Sequence, residues 1–243
     1  MLNRISVLLG AATTTASSLP APTAGFLYSY ELTDPTKFEA GYKDHLEWHK
    51  TKRDHLVWYG WRVVAGSRVG AFVDGTFGAP FDAIDRRPDL KGDAAHFAEH
   101  VGPYGKPIDY EVFALMPAAS TNFSLEQREP SAMLDVYYIE PRADAADEFE
   151  LTLTALAARG RGRGTKALTW YRGLVGTELP LYLLLVPRSN WADLSNRKGA
   201  FPNWIAAQYG GSPADGTKLG LAIAKVRSEV WLYRADLSYF PEE

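Results

Sequence analysis

Apolar and polar positions fall into two runs of the same kind along the chain. Phe26–Leu32 (FLYSYEL) alternates with the period of a strand. Asp34-Pro35 then supplies a helix start, Asp34 as cap and Pro35 at the first helical position, and the spacing predicts a helix from Thr36 to Leu56. Its inward stripe is Phe38, Tyr42, His45, Leu46, His49 and Leu56. Trp58–Ala65 and Val69–Thr76 read as a hairpin. A second helix is clearest over Asp93–Val101 and stops at Gly102-Pro103. Tyr110–Leu115 is a fourth strand, and the polar, proline-flanked stretch Pro117–Ser131 is a linker. The order then repeats: strand Met133–Ile139, helix Ala143–Ala158, hairpin Ala167–Val175 with Leu179–Val186, helix and loop over Trp191–Tyr209, strand Glu229–Leu237. Ala214–Lys225 is a helical segment without a counterpart, and Tyr239 and Phe240 are expected to pack over a sheet edge.

The hairpins carry the best sign of duplication. Laid on each other without a gap, Trp61 meets Tyr171, Arg62 meets Arg172, Gly66 meets Gly176, Ser67 meets Thr177 and Phe81 meets Trp191. Glu111-Val112-Phe113 likewise matches Glu229-Val230-Trp231. The expected fold class is α+β, with two tandem ferredoxin-like β-α-β-β-α-β halves packed sheet-to-sheet as an intramolecular α/β barrel. The halves are expected at 25–116 and 132–243, joined by the linker at 117–131.

Composition narrows the function classes. The 243 residues are 46% apolar and 13% aromatic, so an aromatic-lined interior is expected rather than disorder. A net charge of −3 gives no broad attraction to nucleic acid or an anionic membrane surface. With no cysteine, disulfides, thiolate nucleophiles and cysteine metal sites are excluded. In residues 1–24 Arg4 is the only charged side chain, and the apolar run Ile5–Ala12 is followed by small residues. That pattern reads as a signal peptide cut near Ala21 or Ala24, hence a periplasmic or secreted protein, the alternative being a disordered tail on a cytoplasmic one. No later segment approaches the ~20 apolar residues needed for a membrane span.

The segments AAHFAEHVGPYG (Ala94–Gly105), RSNWADL (Arg188–Leu194) and YRADLSYFP (Tyr233–Pro241) resemble the dimeric α/β-barrel superfamily, in the single-chain tandem form found among exported bacterial proteins. The resemblance covers about 26–241. It implies a barrel completed within one chain, hence a monomer or weak homodimer. The superfamily includes cofactor-free cyclases, small monooxygenases, lactone isomerases and haem enzymes, so the fold does not choose a reaction.

The candidate chemistry is concentrated in the first half, which holds all five histidines. His45/His49 and His96/His100 are i,i+4 pairs, each projecting from one helical face at a spacing that lets two imidazoles hold one metal. His96-Phe97 also resembles the setting of a catalytic histidine in the cofactor-free cyclases, although the partner tyrosine that the resemblance implies is Leu90 here. His96, with His45 and His49, is therefore the expected acid–base group. Tyr28, Tyr30, Trp61, Arg62 and Tyr110 are the expected substrate wall, the tyrosines serving as hydrogen-bond donors to an enolate oxygen. Arg62 and Arg172 together are a candidate carboxylate clamp. The haem members imply a proximal histidine, often in the second of two fused halves, and here no histidine follows His100. No cofactor is expected, and the expected partner is a small-molecule ligand. The leading reading is a binder or cofactor-independent enzyme of cyclase or isomerase type acting on an apolar or aromatic carbonyl compound. A non-catalytic binding or scaffold protein, and a metalloprotein using His45, His49, His96 and His100, stay open beside it. There is no dinucleotide fingerprint, P-loop, nucleophile elbow or calcium loop.

Overall fold

The computed structural model describes residues 21–161, 167–176 and 178–242. Residues 1–20, which hold most of the expected signal peptide, 162–166, Thr177 (the counterpart of Ser67) and Glu243 lie outside those residues.

In the first half, β1 (Ala24–Leu32) leads into α1 (Pro35–Thr51), β2 (Tyr59–Ala65), β3 (Phe72–Ala79), α2 (Leu90–His100) and β4 (Gly105–Leu115). The second half repeats this as β5 (Met133–Pro141), α3 (Ala146–Gly160), β6 (Thr169–Val175), β7 (Tyr182–Arg188), α4 (Phe201–Gln208), α5 (Pro213–Ala222) and β8 (Ile223–Tyr233). Asp34 caps α1 as expected, accepting the Lys37 amide at 3.1 Å.

Several boundaries differ from the sequence reading: β4 already begins at Gly105, and β8 runs Ile223–Tyr233 rather than Glu229–Leu237. Helix α1 ends at Thr51, because Arg53 turns left-handed (φ 54°) and Asp54 N–H donates to His49 O; Leu56 is buried from the following loop. Strand β3 starts at Phe72 rather than Val69. Gly66 (φ 112°) and Gly70 (φ 91°) widen the turn, which leaves Val69 exposed. The helical segment expected to reach Lys225 stops at Ala222, where β8 begins.

The strands close into one barrel in the order β1-β3-β2-β8-β5-β7-β6-β4. Each half contributes a four-stranded antiparallel sheet, and the halves meet edge to edge through β2–β8 and β4–β6. Full closure leaves none of these strands with a free edge. Helices α1 and α2 cover the outer face of the first half. Alternate strand residues point inward, and the interior is filled by them. Trp61 and Trp231 pack with ring centroids 5.7 Å apart, and Phe77 and Tyr171 at 5.2 Å. The expected aromatic interior is thus a packed core of side chains.

The stretch 117–131, read as a linker, also closes one end of the barrel. Leu125 is buried in the barrel core, Tyr59 O–H donates to its carbonyl at 2.7 Å, and Tyr171 O–H donates to Glu126. Tyr239 pairs with Trp58 in a two-residue antiparallel bridge, and Phe240 packs edge-on to Tyr59. Among the described residues no helix is long and apolar enough to cross a membrane.

Candidate functional site

A cavity of about 260 Å³ lies outside the barrel, between the first-half sheet and α1 and α2. An apolar hole of 150 Å³ holds a benzene ring, so this one admits a single substituted ring. The walls from the strands and from α1 follow from local periodicity. Tyr28 and Tyr30 alternate outward from β1, Asp74 does so from β3, and α1 presents Tyr42, His45 and His49 at helical spacing. Asp93 and Phe97, one turn apart on α2, face them, while Trp58 and Arg87 enter from the loops.

The histidine pairs do not converge on one centre. Each faces an aspartate of the opposite helix. His45 Nε2 and His49 Nε2 lie 3.3 and 3.6 Å from Asp93 Oδ1. His100 Nδ1 and His96 Nε2 lie 2.7 and 3.8 Å from Asp44 Oδ2. The pairs touch through one contact, His45 Nδ1 to His96 Nδ1 at 3.2 Å. His45 and His49 are buried in the cavity wall, while His96 stands one ring behind His45 and does not line the cavity.

Behind His49 sits a buried ionic group. Asp54 Oδ2 lies 2.9 Å from His49 Nδ1 and accepts from Trp58 Nε1 and Arg87 Nε, each at 3.1 Å. Burial pushes the Asp54 carboxyl up, but the hydrogen bonds from His49, the Leu56 amide and Trp58, together with the Arg87 charge, outweigh it and hold the group well below the usual carboxylate range. Asp93 is lowered in the same way: the facing His45 imidazole and the Arg87 charge outweigh its burial. Burial lowers His45, only partly offset by Asp93, so its imidazole is neutral near pH 7.

Asp74 is the opposite case. It is 5% exposed, and Tyr42 O–H donates to Oδ2 at 2.7 Å, while Oδ1 has no hydrogen-bond partner. Burial pushes this carboxyl up to about 7; the Tyr42 bond lowers it only in part, and the Asp93 charge adds to the rise. One wall of the cavity therefore carries a carboxyl poised to gain or lose a proton near neutrality.

The other expected site residues divide. Tyr28 and Tyr30 line the cavity, and Tyr110 stacks on Tyr28 at 4.4 Å from the half-exposed rim. Trp61 points into the barrel core and is fully buried there, because its place on β2 is an inward one. Arg172, on β6, lies 3.6 Å from Glu150, while Arg62, on β2 near Glu39 and Arg234, has one guanidinium nitrogen buried without a partner among the described residues; the two strands are not neighbours in the barrel, so the arginines do not form a clamp. Sequence reasoning missed Asp74, Asp93, Asp54 and Arg87. Asp74 left a signal, an acid amid the apolar strand residues Phe72-Val73 and Phe77. Asp54 and Arg87 left none, since both are loop residues brought in by the fold.

Two larger depressions carry less chemistry. A groove of about 880 Å³ beside the C-terminal tail includes the solvent-facing Lys50, Arg53 and Arg128. One of about 340 Å³ in the second half is bordered by the Asp135–Arg188 ion pair and Arg197.

No protein-family model and no curated protein matches the chain. Solved structures do. A candidate monooxygenase of Lactobacillus acidophilus superposes with TM-score 0.55 over 90% of this chain and 97% of its own, at 10% identity. An anthrone oxidase-like protein gives 0.52 over 90% and 94%, at 10% identity. A mutant chlorite dismutase of Candidatus Nitrospira defluvii, solved with cyanide, gives 0.55 over 88% and 91%, at 8% identity. Identities this low speak to the backbone alone. The chain has the chlorite dismutase-like, ferredoxin-like α/β-barrel fold of these proteins.

Proposed function

We propose that the cavity under α1 and α2 is the active site of an enzyme that binds a small aromatic or apolar carbonyl compound and removes a proton next to the carbonyl. The observation that carries this reading is Asp74. Its Oδ1 is buried and unpaired in the cavity wall, and its proton affinity lies near neutrality, as a general base requires. Tyr28, Trp58 and Phe97 supply aromatic walls for a ring, and the buried Arg87 supplies positive charge toward a developing enolate oxygen. His45 and His49 face the same space, whereas His96 reaches it only through His45.

The test is exchange of the α-hydrogens of one-ring aromatic ketones in D2O, followed by NMR. The parent protein is expected to accelerate exchange, and Asp74→Asn to lose about 100-fold or more. His96→Ala is expected to cost less than His45→Ala. Exchange as fast in Asp74→Asn as in the parent would sink the assignment. Ketone binding without exchange would instead favour a non-catalytic binding protein.

Export and a monomeric state belong to the same proposal. Strand β1 begins at Ala24, which is fully buried, so cleavage near Ala21 leaves the barrel whole whereas cleavage after Ala24 removes a paired strand residue. Closure of the sheet within one chain supports a monomer. The N-terminal mass of exported protein and its sedimentation behaviour test the two points.

A further inference from the structure

We propose that His45, His49 and Asp93 form a site for one divalent first-row transition-metal ion in the wall of the cavity. The side chains offer two imidazole nitrogens and one carboxylate oxygen, all within 4.8 Å of one another. Both histidines aim Nε2 at the same oxygen, Asp93 Oδ1, at 3.3 and 3.6 Å. That oxygen is buried and has no aligned hydrogen bond. Two imidazoles and one carboxylate, with the remaining positions open toward a cavity, are a donor set shared by non-haem iron and catalytic zinc sites.

The surroundings of the two rings carry the argument further. A metal on Nε2 requires the proton on Nδ1, and each Nδ1 faces a partner, a carboxylate for His49 and, for His45, an imidazole that accepts when its own proton is on Nε2. His49 Nδ1 is 2.9 Å from Asp54 Oδ2, and His45 Nδ1 is 3.2 Å from His96 Nδ1. Asp54 is in turn fixed by Trp58 Nε1, Arg87 Nε and the Leu56 amide. A carboxylate held behind a ligating histidine orients the ring and raises its basicity. Arg87 Nη1 holds Asp93 through Oδ2 at 3.3 Å; its Nη2 also lies 3.1 Å from Oδ1, so an incoming metal displaces that contact. Two carboxylates held ionised, Asp54 and Asp93, face the one guanidinium of Arg87, so the net charge favours a cation. The outer cluster Asp44–His96–His100 has the same donor types, but its Asp44 side chain is more than half exposed and no buried carboxylate backs its rings.

A metal here departs from the cofactor-free expectation. It would polarise the substrate carbonyl while Asp74, which is not a ligand, takes the proton. The inference deepens the active-site reading of the cavity and rests on it, yet the two fail separately.

The experiment uses untagged protein stripped with chelator and titrated with Co2+, followed by its visible d–d absorption. One equivalent per chain is expected, with nitrogen and oxygen ligation. His49→Ala and Asp93→Ala are each expected to weaken Co2+ binding by about 100-fold or more, and Asp54→Asn, acting through His49, by ~10–100-fold. Asp74→Asn and His100→Ala should bind Co2+ as the parent does. Because buried substitutions can unfold the chain, Zn2+ is also added to the parent protein, where imidazole NMR resonances of His45 and His49 should shift and those of His100 should not. Absence of a Co2+ band in the parent overturns the site. So does a band that survives His49→Ala but is lost in His100→Ala, or Zn2+ shifts confined to His96 and His100. Stoichiometric Co2+ binding without ketone exchange keeps the metal site and removes the proton-transfer reading; exchange by stripped protein that binds no Co2+ does the reverse.

Discussion

Glu111 and Glu229 occupy matching places in the two halves, and both are buried. Their partners differ. Arg68 grips Glu229 through two hydrogen bonds of 2.9 Å, and Trp231 Nε1 adds a third at 2.8 Å. These bonds outweigh burial and hold Glu229 below its ordinary value. Glu111 has a buried oxygen without a partner, and burial, aided by the Asp109 charge, raises it to about 7. The folded chain therefore holds this proton more tightly than the unfolded chain, whose carboxyl titrates near 4.5. Below that pH both states are protonated and nothing is lost; as pH rises through 7, stability falls by on the order of 3 kcal/mol, at 1.36 kcal/mol per unit. Glu111→Gln should flatten this part of the pH–stability curve and raise Tm at pH 8 above that of the parent. Arg68→Ala should cost ~3–5 kcal/mol in urea unfolding, because it strands the Glu229 charge. The repeated Glu-Val-aromatic motif was legible in the sequence, but the different fates of its two carboxyls were not, since Arg68 reaches Glu229 across 161 positions.

The cavity depends on how closely α1 and α2 cross. An added Cβ at Gly41 would lie 1.9 Å from His100 O, so the helices meet backbone to backbone there. Gly41→Ala should push them apart at a cost of about 1–3 kcal/mol, read as lower Tm, and loosen the contacts of His45 and His49 with Asp93. Removing the α1 cap is a separate effect: Asp34→Ala should lower Tm and leave the cavity geometry alone. The buried face of α1 could be read from its period, and the expected stripe is buried from Phe38 to His49. The face of α2 could not. It has no buried residue, so the turn chosen by Asp93 and Phe97 came from docking against α1 rather than from an apolar stripe.

At the scale of the molecule, the halves share two strand-to-strand seams and one aromatic core that draws Trp61 from the first half and Trp231 from the second. Neither half can unfold without opening both seams. Thermal or urea unfolding should therefore be one cooperative transition, with far-UV CD and tryptophan fluorescence coinciding. Two separated transitions would mean that the seams contribute little.

Period and turn chemistry determined the element order, the cap of α1 and the concentration of histidines in the first half. These are local properties, set by side-chain spacing within about ten residues. Tertiary structure alone decided that side chains of both halves pack together in the interior, that the cavity described lies outside the barrel, and that each histidine pair faces an aspartate of the other helix. Those outcomes depend on closing the sheet and on the rotation of α2 against α1. Both are fixed by contacts between residues far apart in the chain, which no local pattern records.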